Sequence, residues 1–364
     1  MTAYLDSASG EPLHPAARAV LEQALEAGYA DPRRLHHPAR NARIMLDNAR
    51  AATAEALGVR PEEVTFTPSG THAVHLGVLG LLPGVPSGNL LLASAVEHSS
   101  VMHAGHWHER RGGAFEVLPV DRFGRVGTDG AAEAVVLAVQ SANHEVGTLQ
   151  PVAELAAHAP LFMDACASGG RLPLPAGWSS AALSAHKWGG PAGVGVLLVR
   201  KGARWRNPFP GDDRVDERAT GFENVPAALA AAAALQAVVA DRDEVNARQF
   251  ALVDRLRAGV ATIPDTEVVG DPVDRLPHLV TFSFLYVDGE AIVTELDRRG
   301  FSVASGSACT ASTLEPSHVL AAMGALTHGN LRVSLGRGTT EEDVDRLLAA
   351  LPEVVAKIRQ DAGL

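Results

Sequence analysis

The chain is poor in cysteine: its 364 residues contain only two, Cys166 and Cys309. Two cysteines cannot build the disulfide framework of a small secreted scaffold, and they cannot supply an all-cysteine zinc site. An excess of basic residues is also absent, because 31 Lys and Arg face 42 Asp and Glu, for a net charge of −11. This balance argues against nucleic acid as the main ligand, although it leaves room for a local basic pocket that binds a phosphate or carboxylate.

Long apolar runs and a leader segment are missing as well. The longest apolar stretch, residues 227–240, is rich in alanine and too short to span a membrane. The first residues, MTAYLDSASGEPLHP, have neither the basic region nor the apolar stretch of a signal peptide. We therefore expect a soluble, cytoplasmic protein of a reducing compartment, without membrane or nucleic-acid partners.

The residues that are present indicate a large α/β fold. Hydrophobic residues make up 46% and charged residues 20%, which permits a sizeable core and excludes wholesale disorder. From about 45 to 200, short apolar runs alternate with helical patterns, as is typical of a mainly parallel sheet whose strands are buried on both faces. We predict a large domain at 15–249 and a smaller α/β domain made of 1–14 and 250–364.

Two helices are predicted after the polar stretch at 205–225. An alanine-rich helix is expected at 226–241 and should continue toward residue 258. Thr339 and Glu342 have the spacing of a capping box, so they are expected to open the last helix of the chain.

Lys187 stands at the end of a short apolar run and is followed by a glycine-rich segment. Most lysines at strand ends simply reach into water. Here, however, Ser184 and His186 come just before the lysine and can bind an anion, and the glycines allow close backbone approach. A lysine in such a pocket can form a Schiff base with an aldehyde cofactor.

Asp164 ends another apolar run, one crossover unit before Lys187. It is either the N-cap of a following turn or a ligand-facing carboxylate at the carboxyl end of a buried strand. In the second case, both residues share one sheet edge. A carboxylate beside a pyridine nitrogen keeps that nitrogen protonated, which makes pyridoxal phosphate an electron sink.

Two further segments follow apolar runs in the same way. Gly70 and Thr71 stand before a helix, where backbone N–H groups bind phosphate, although the same residues also serve as ordinary caps. His98 offers a flat ring that can stack on a planar cofactor. Metal binding is the alternative, because more histidines crowd the same stretch, but we expect no metal since spacing identifies no other ligand. Those histidines are His103, His106 and His108.

Cys309 lies in a stretch of small residues, SGSACTAST, at 305–313. A thiol in such a loop suits a nucleophile that moves between a site and a partner. Cys166, among apolar residues after a strand, is assigned to the core. Arg332 and Arg337 flank the last apolar run, either as surface salt bridges or as a bidentate grip on a substrate carboxylate.

Together these segments resemble the cysteine desulfurases of the NifS/IscS type, in the class V aminotransferase branch of the fold-type I pyridoxal-phosphate enzymes. SAHK with its glycine-rich tail is shared by many members of that branch. SGSACTAS followed by LEPSHVL is more specific, because it is similar to the long catalytic-cysteine loop of the first desulfurase group. The other matching segments, which span nearly the whole chain, are YLDSAS, RLHHPARNAR, FTPSGTH, VEHSSVMH, ANHEVGT, FMDA and LRVSLGRGTTEEDV.

The resemblance implies a seven-stranded, mainly parallel sheet in the large domain and a role for each matched residue. Lys187 would hold pyridoxal 5'-phosphate and move protons, Asp164 would pair with the pyridine nitrogen, and His98 would stack on the ring. Arg332 would bind the carboxylate of L-cysteine. Cys309 would attack its sulfur, leaving a persulfide and releasing L-alanine. The phosphate would be held by Gly70, Thr71, Ser184 and His186. A homodimer and a sulfur-acceptor protein are the implied partners.

Several positions depart from the family pattern. Ala167 stands where the family has a glutamine that contacts the phenolic oxygen of the cofactor, and His144 replaces an asparagine. We hypothesise that His144 takes over the contact with the phenolic oxygen. Phe222 stands where a threonine reaches the phosphate of the neighbouring subunit. The remaining departures are Ser7, His72 and His75.

These departures leave other functions open. The second interpretation is another class V enzyme, namely a C–S lyase, a selenocysteine lyase or an aminotransferase. A degenerate, non-catalytic protein of the same fold that serves as a binding partner is the third interpretation. The presence of both Lys187 and Asp164 favours an enzyme over that third interpretation.

Overall fold

The computed structural model describes residues 2–84, 88–212, 217–218, 220–305 and 316–363. Cys309, the expected nucleophile, lies outside the described residues.

The described residues form a mixed α/β structure. In chain order the strands are β1 (Ala3–Tyr4), β2 (Val64–Thr67), β3 (Leu90–Ser94), β4 (Ala114–Leu118), β5 (Val136–Gln140), β6 (Leu161–Asp164), β7 (Ser180–Ser184), β8 (Gly195–Val199), β9 (Thr266–Val269), β10 (Leu279–Phe284), β11 (Phe301–Ser302) and β12 (Asn330–Ser334). The helices are α1 (Pro15–Ala27), α2 (His37–Leu57), α3 (Gly70–Leu81), α4 (Ser99–Arg110), α5 (Val152–Leu155), α6 (Val225–Ala240), α7 (Arg242–Val260), α8 (Gly289–Arg298), α9 (His318–Met323) and α10 (Glu341–Asp361).

A seven-stranded sheet with the order β2-β8-β7-β6-β5-β3-β4 forms the centre of the molecule. Strands β7, β6, β5, β3 and β4 are parallel, whereas β8 runs antiparallel to both of its neighbours. Leu161 and Met163 pack into one apolar layer, while Phe162 between them packs into the layer on the opposite face. Burial on both faces explains the continuous apolar runs, and the expected α/β fold with a mainly parallel seven-stranded sheet is confirmed.

A second apolar cluster joins the start of the chain to its C-terminal part. A three-stranded antiparallel sheet, β12-β10-β9, and the parallel pair β1-β11 contribute to it. Leu5 packs there with Leu256, Phe282 and Leu347. Because both parts of the chain share this cluster, we propose, as the sequence predicts, that 1–14 and 250–364 form a domain of their own beside 15–249.

The alanine-rich helix does not continue toward residue 258, so that prediction is wrong. Helix α6 ends at Ala240, and α7 begins at Arg242 after a bend of 69°. The two helices serve different cores, because Leu235 packs on the large sheet and Leu256 packs in the second cluster. Within the described ranges, no single helix meets the length and hydropathy required to cross a membrane; only the bent α6–α7 pair meets them jointly.

The capping box of the last helix lies one residue later than predicted. The Thr340 hydroxyl accepts the N–H of Asp343 at 3.2 Å, and the Asp343 carboxylate accepts the N–H of Thr340 at 3.1 Å. Thr339, the expected cap, is buried instead. The pattern S/T-x-x-acid fits both threonines, so only the burial of the first one separates them.

Candidate active site

The site is a cavity of about 240 Å³ at the carboxyl ends of the central parallel strands. Asp164 is the last residue of β6, where it pairs with Gln140 of β5 and Ala182 of β7. Ser184 ends β7, and a short 3₁₀ helix with Lys187 follows at once. All the predicted site residues within the described ranges line this cavity: Gly70, Thr71, His98, His144, Asp164, Ser184, His186, Lys187 and Arg332.

Lys187 points its amine toward the N-terminal segment. Its Nζ donates to the backbone carbonyl of Ser9 at 3.2 Å and also to that of Ala8. The lysine therefore lines the cavity and binds backbone carbonyls, in place of the purely solvent-facing position that an ordinary strand-end lysine would take.

Asp164 fulfils both of the interpretations that its sequence position allows. Its Oδ1 accepts the backbone N–H of Cys166 at 2.9 Å, which caps the turn after β6. It also lines the cavity while almost fully buried. Burial raises the pKa of Asp164, whereas the hydrogen bonds from Cys166 and the nearby His144 and Lys187 oppose the rise. A carboxylate so placed gains from a cationic or N–H partner in the cavity.

The N-terminus of α3 forms one end of the cavity. Ser69 caps this 12-residue helix by accepting the N–H of His72 at 3.0 Å. A Cβ on Gly70 would lie 2.7 Å from the Cβ of Ser184, so only glycine fits. The Ser184 hydroxyl is 3.0 Å from Nδ1 of His186. Helix N–H groups beside hydroxyl and imidazole donors have the chemistry of a phosphate site, so these residues fit the phosphate end of pyridoxal phosphate.

Two histidine rings stand together on another wall. His98 is the N-cap of α4, and its Nδ1 accepts the N–H of Ser100 at 3.1 Å. Its ring lies 5.1 Å from the ring of His144, at an angle of 73°. The pKa of His98 is lowered to about 3, first by burial and then by the charges of His144, Lys187 and His318. His98 therefore presents a neutral, flat ring to the cavity.

The other histidines of this stretch have local partners. His106 lies 3.6 Å from Glu109 on the exposed face of α4, and Nε2 of His108 is 2.9 Å from the carbonyl of Asn89. Within the part of the chain that the structure describes, no group of three His, Cys, Asp or Glu side chains is arranged to hold a metal ion.

Arg332 and Arg337 have different surroundings. Arg332 is buried in β12, and its Nη2 donates to Oδ1 of Asp6 at 3.0 Å and to Oγ of Ser9 at 2.7 Å. Its Nη1 donates to the carbonyl of His144 at 3.2 Å. Arg337 instead pairs with Asp241 outside the cavity. Of these two arginines, Arg332 lines the cavity and Arg337 does not.

Cys166 lies in the cavity wall, so its assignment to the core is wrong. The cap on Asp164 turns the chain back over the end of β6 and brings the thiol to the cavity, with Sγ 3.7 Å from the carbonyl of Ala182. Burial raises the pKa of this thiol well above its usual value. Arg171 and His278 also line the cavity, and no motif marks them, because each is isolated in the sequence.

The residues that depart from the family pattern lie partly in the cavity wall and partly outside it. Ala167 and Ser7 line the cavity beside His144. His72, by contrast, stacks its ring at 6.1 Å on Phe209. Three of the altered positions therefore face the site directly.

The described residues that flank segment 306–315 are bound to the walls of the site. Before the segment, the N–H of Arg332 donates to the carbonyl of Ala304 at 2.7 Å. After it, Ser317 donates to Oε2 of Glu145 at 2.6 Å, and His318 Nε2 contacts the carbonyl of Glu97 at 2.8 Å. Glu97 directly precedes His98 and Glu145 directly follows His144, so the described residues on both sides of 306–315 lie beside the cavity.

A larger surface groove, of about 870 Å³, lies elsewhere. It is lined by charged side chains that pair with each other, such as Arg50 with Asp47 at 3.4 Å. The smaller cavity brings Lys187 and the buried Asp164 together at the carboxyl ends of the parallel strands, so the chemistry assigns the site there.

Comparison with known proteins agrees with this geometry. The Aminotransferase class-V family model matches residues 3–347. The chain belongs to this family. It is 32% identical to cysteine desulfurase IscS of Methanosarcina thermophila over 99% of the chain and 94% of that protein. It is 35% identical to cysteine desulfurase NifS of Azotobacter vinelandii over 91% of the chain and 87% of that protein.

A solved structure of a NifS-like protein superposes with a TM-score of 0.90 at 25% identity, covering 98% of this chain and all of the other. The expected resemblance to NifS/IscS cysteine desulfurases is thus confirmed, and so is the class of enzyme, since the class V family depends on pyridoxal phosphate. This class V chain keeps a family fold while changing residues in the site wall.

The low pKa of His98 predicts a specific acid sensitivity. From pH 7 to pH 5 the folded protein keeps His98 neutral, while the unfolded chain takes up a proton below the ordinary pKa of 6.5. The unfolded state then binds more protons, so acidification favours unfolding, by about 2 kcal/mol from this residue at pH 5. His98→Gln should lose less unfolding free energy than the wild type between pH 7 and pH 5, as measured by urea denaturation. His106→Gln, on the exposed face of α4, is the control, and equal losses in His98→Gln and wild type would contradict the prediction.

Proposed function

We propose that this chain is a pyridoxal-phosphate-dependent cysteine desulfurase that removes sulfur from L-cysteine, releases L-alanine and passes the sulfur through a persulfide on Cys309 to an acceptor protein. The observation that carries the proposal is the meeting of Lys187, Asp164 and Arg332 on one cavity, beside which Ala304 and His318, the described residues that flank 306–315, are bound. A cytoplasmic location remains a prediction from the sequence.

The residues of the cavity fit the cofactor. Lys187 would bind its aldehyde, Asp164 would accept a hydrogen bond from its pyridine nitrogen, and His98 would lie against its ring as a neutral imidazole. Gly70, Thr71, Ser184 and His186 would hold its phosphate. When bound, pyridoxal phosphate supplies an electron sink for the α-carbon of the substrate.

The substrate would be held by its carboxylate. Arg332 lines the same cavity as Lys187, and guanidinium groups bind carboxylates well. The amine of Lys187 would take a proton from the substrate and return one to the product.

The sulfur atom of the substrate would be transferred to the thiol of Cys309. The Cys309 thiolate would attack the sulfur of L-cysteine and form a sulfur–sulfur bond as the carbon–sulfur bond breaks. The electrons of the broken bond stay with the carbon skeleton, which takes up a proton and leaves as L-alanine. The enzyme keeps the sulfur as a persulfide, which a thiol of an acceptor protein can remove.

Exposed apolar side chains support the proposed homodimer. Leu35 is 89% exposed and Phe222 54% exposed, and Tyr29 and Ile44 are exposed as well. Where such side chains form a contiguous patch, they mark a surface that a second copy can cover. Phe222 also occupies the position at which the family resemblance implies contact with the neighbouring subunit.

The two cysteines provide a matched test of the sulfur step. Cys309→Ser should lower alanine production from L-cysteine by more than about 100-fold, because the nucleophile is removed. Cys166→Ser should still acquire one added sulfur atom on Cys309, detected by mass spectrometry of the intact protein and its peptides. Undiminished turnover in Cys309→Ser would favour a C–S lyase and contradict the proposal.

The paired change at Ala167 and His144 predicts a contact between His144 and the phenolic oxygen of the cofactor. Nδ1 of His144 is 3.4 Å from Oε1 of Gln140, and its Nε2 is 3.6 Å from Oε1 of Glu145, so the ring is held in place at the cavity. His144→Ala should shift the absorbance maximum of the bound cofactor and its pH dependence, whereas His106→Ala should not. A His144→Ala spectrum that matches the parent would remove this assignment.

A further inference from the structure

His278 is a buried histidine in the wall of the cavity to which the proposed function gives no role. It directly precedes β10, and its backbone carbonyl accepts the N–H of Leu335 at 2.8 Å, beside β12. Its side chain is 2% exposed, and it lines the same cavity as Lys187 and Arg332. The position is therefore rigid and close to the proposed carboxylate-binding arginine.

The ring of His278 is short of hydrogen bonds. Its Nδ1 is buried and has no hydrogen-bond partner among the described residues. A buried polar atom without a partner costs free energy, and in native proteins such an atom usually meets a ligand or water. The ring thus holds hydrogen-bonding capacity that the surrounding protein leaves unused.

The surroundings of His278 favour a neutral ring that meets an anion. Burial first, and then the charges of Arg171, Arg332 and Lys187, lower its pKa well below the ordinary value. A neutral imidazole carries one N–H donor and one acceptor nitrogen. Cations on several sides make this part of the cavity a favourable place for a negatively charged group.

Arg332 offers a carboxylate only part of its donors, because its buried Nε has no partner among the described residues while most of its other N–H groups are engaged. Its Nη2 already donates to Asp6 and Ser9, and its Nη1 donates to the carbonyl of His144. Arg171, the other nearby guanidinium, is paired with Glu11 at 2.6 Å. A carboxylate has about four acceptor sites, so a further donor beside Arg332 would complete its binding.

We propose that His278 is a substrate-binding residue that hydrogen-bonds the carboxylate of the amino-acid substrate next to Arg332. The proposal rests on the proposed function, because it names a second group that recognises the same substrate. It assigns the selectivity for an α-amino acid over the corresponding amine to a pair of side chains, Arg332 and His278.

The test compares ligands with and without a carboxylate on the holoenzyme. L-Alanine carries the carboxylate and no thiol, and cysteamine carries the thiol and no carboxylate. The dissociation constant of each is measured by titrating the absorbance of the bound cofactor, in wild type, His278→Leu and His278→Gln. We expect His278→Leu to weaken L-alanine binding about 10- to 100-fold, His278→Gln to weaken it less than about fivefold, and both to leave cysteamine binding unchanged.

Steady-state kinetics add a second readout. His278→Leu should raise KM for L-cysteine with little change in kcat, because the lost contact exists before and during the reaction. His108→Gln is the matched control, since His108 is a buried histidine with its partner at Asn89 outside the cavity. His108→Gln should change neither the affinity for L-alanine nor the affinity for cysteamine.

Three results would overturn the assignment. Equal L-alanine affinity in His278→Leu and wild type would show that the ring makes no such contact. Equal weakening of L-alanine and cysteamine would show that His278 only shapes the cavity. If wild type releases no alanine from L-cysteine, the proposed function itself fails, and that outcome is distinct because it appears before any variant is made.

Discussion

The parallel pairing of β6 with β7 is the constraint on which the rest of the site depends. It brings the carboxylate at the end of β6 and the lysine just after β7 to the same edge of the sheet, although they are far apart in sequence. Strand β8, antiparallel to β7, then returns the chain and leaves that edge open. In open α/β sheets, ligands bind in the crevice at the carboxyl ends of the strands. One buried acid, Asp164, and one amine, Lys187, therefore meet there by topology.

The two arginines of the cavity are each paired with a carboxylate of the N-terminal segment. Arg332 has Asp6, Arg171 has Glu11, and the buried imidazoles stay neutral. Burial alone would favour the neutral form of Asp164, and the positive groups around it oppose that shift. In the proposed function the phosphate would lie at the N-terminus of α3 and the amino-acid carboxylate beside Arg332.

Much of this site could be predicted because its residues follow apolar runs. Asp164, Lys187 and His98 each end or follow a buried strand, and a continuous apolar run marks such strands in the sequence. His278 and Cys166 could not be predicted as site residues, because no local sequence pattern distinguishes a residue in a cavity wall from one in the core. Helix α6 ends at Ala240 because α6 and α7 pack on separate cores, a tertiary effect with no helix-breaking glycine or proline at the bend. Strand β4 has no continuous apolar run, because its edge position leaves Glu116 and Val117 exposed.

The most direct test of the central claim is to locate the lysine that holds the cofactor. The chain has three lysines, Lys187, Lys201 and Lys357. The purified protein is incubated with pyridoxal phosphate, reduced with borohydride, digested and analysed by mass spectrometry. The account predicts the reduced cofactor on Lys187, with L-alanine in excess protecting against the label. A label on Lys201 or Lys357, or none at Lys187 at saturating cofactor, would contradict it.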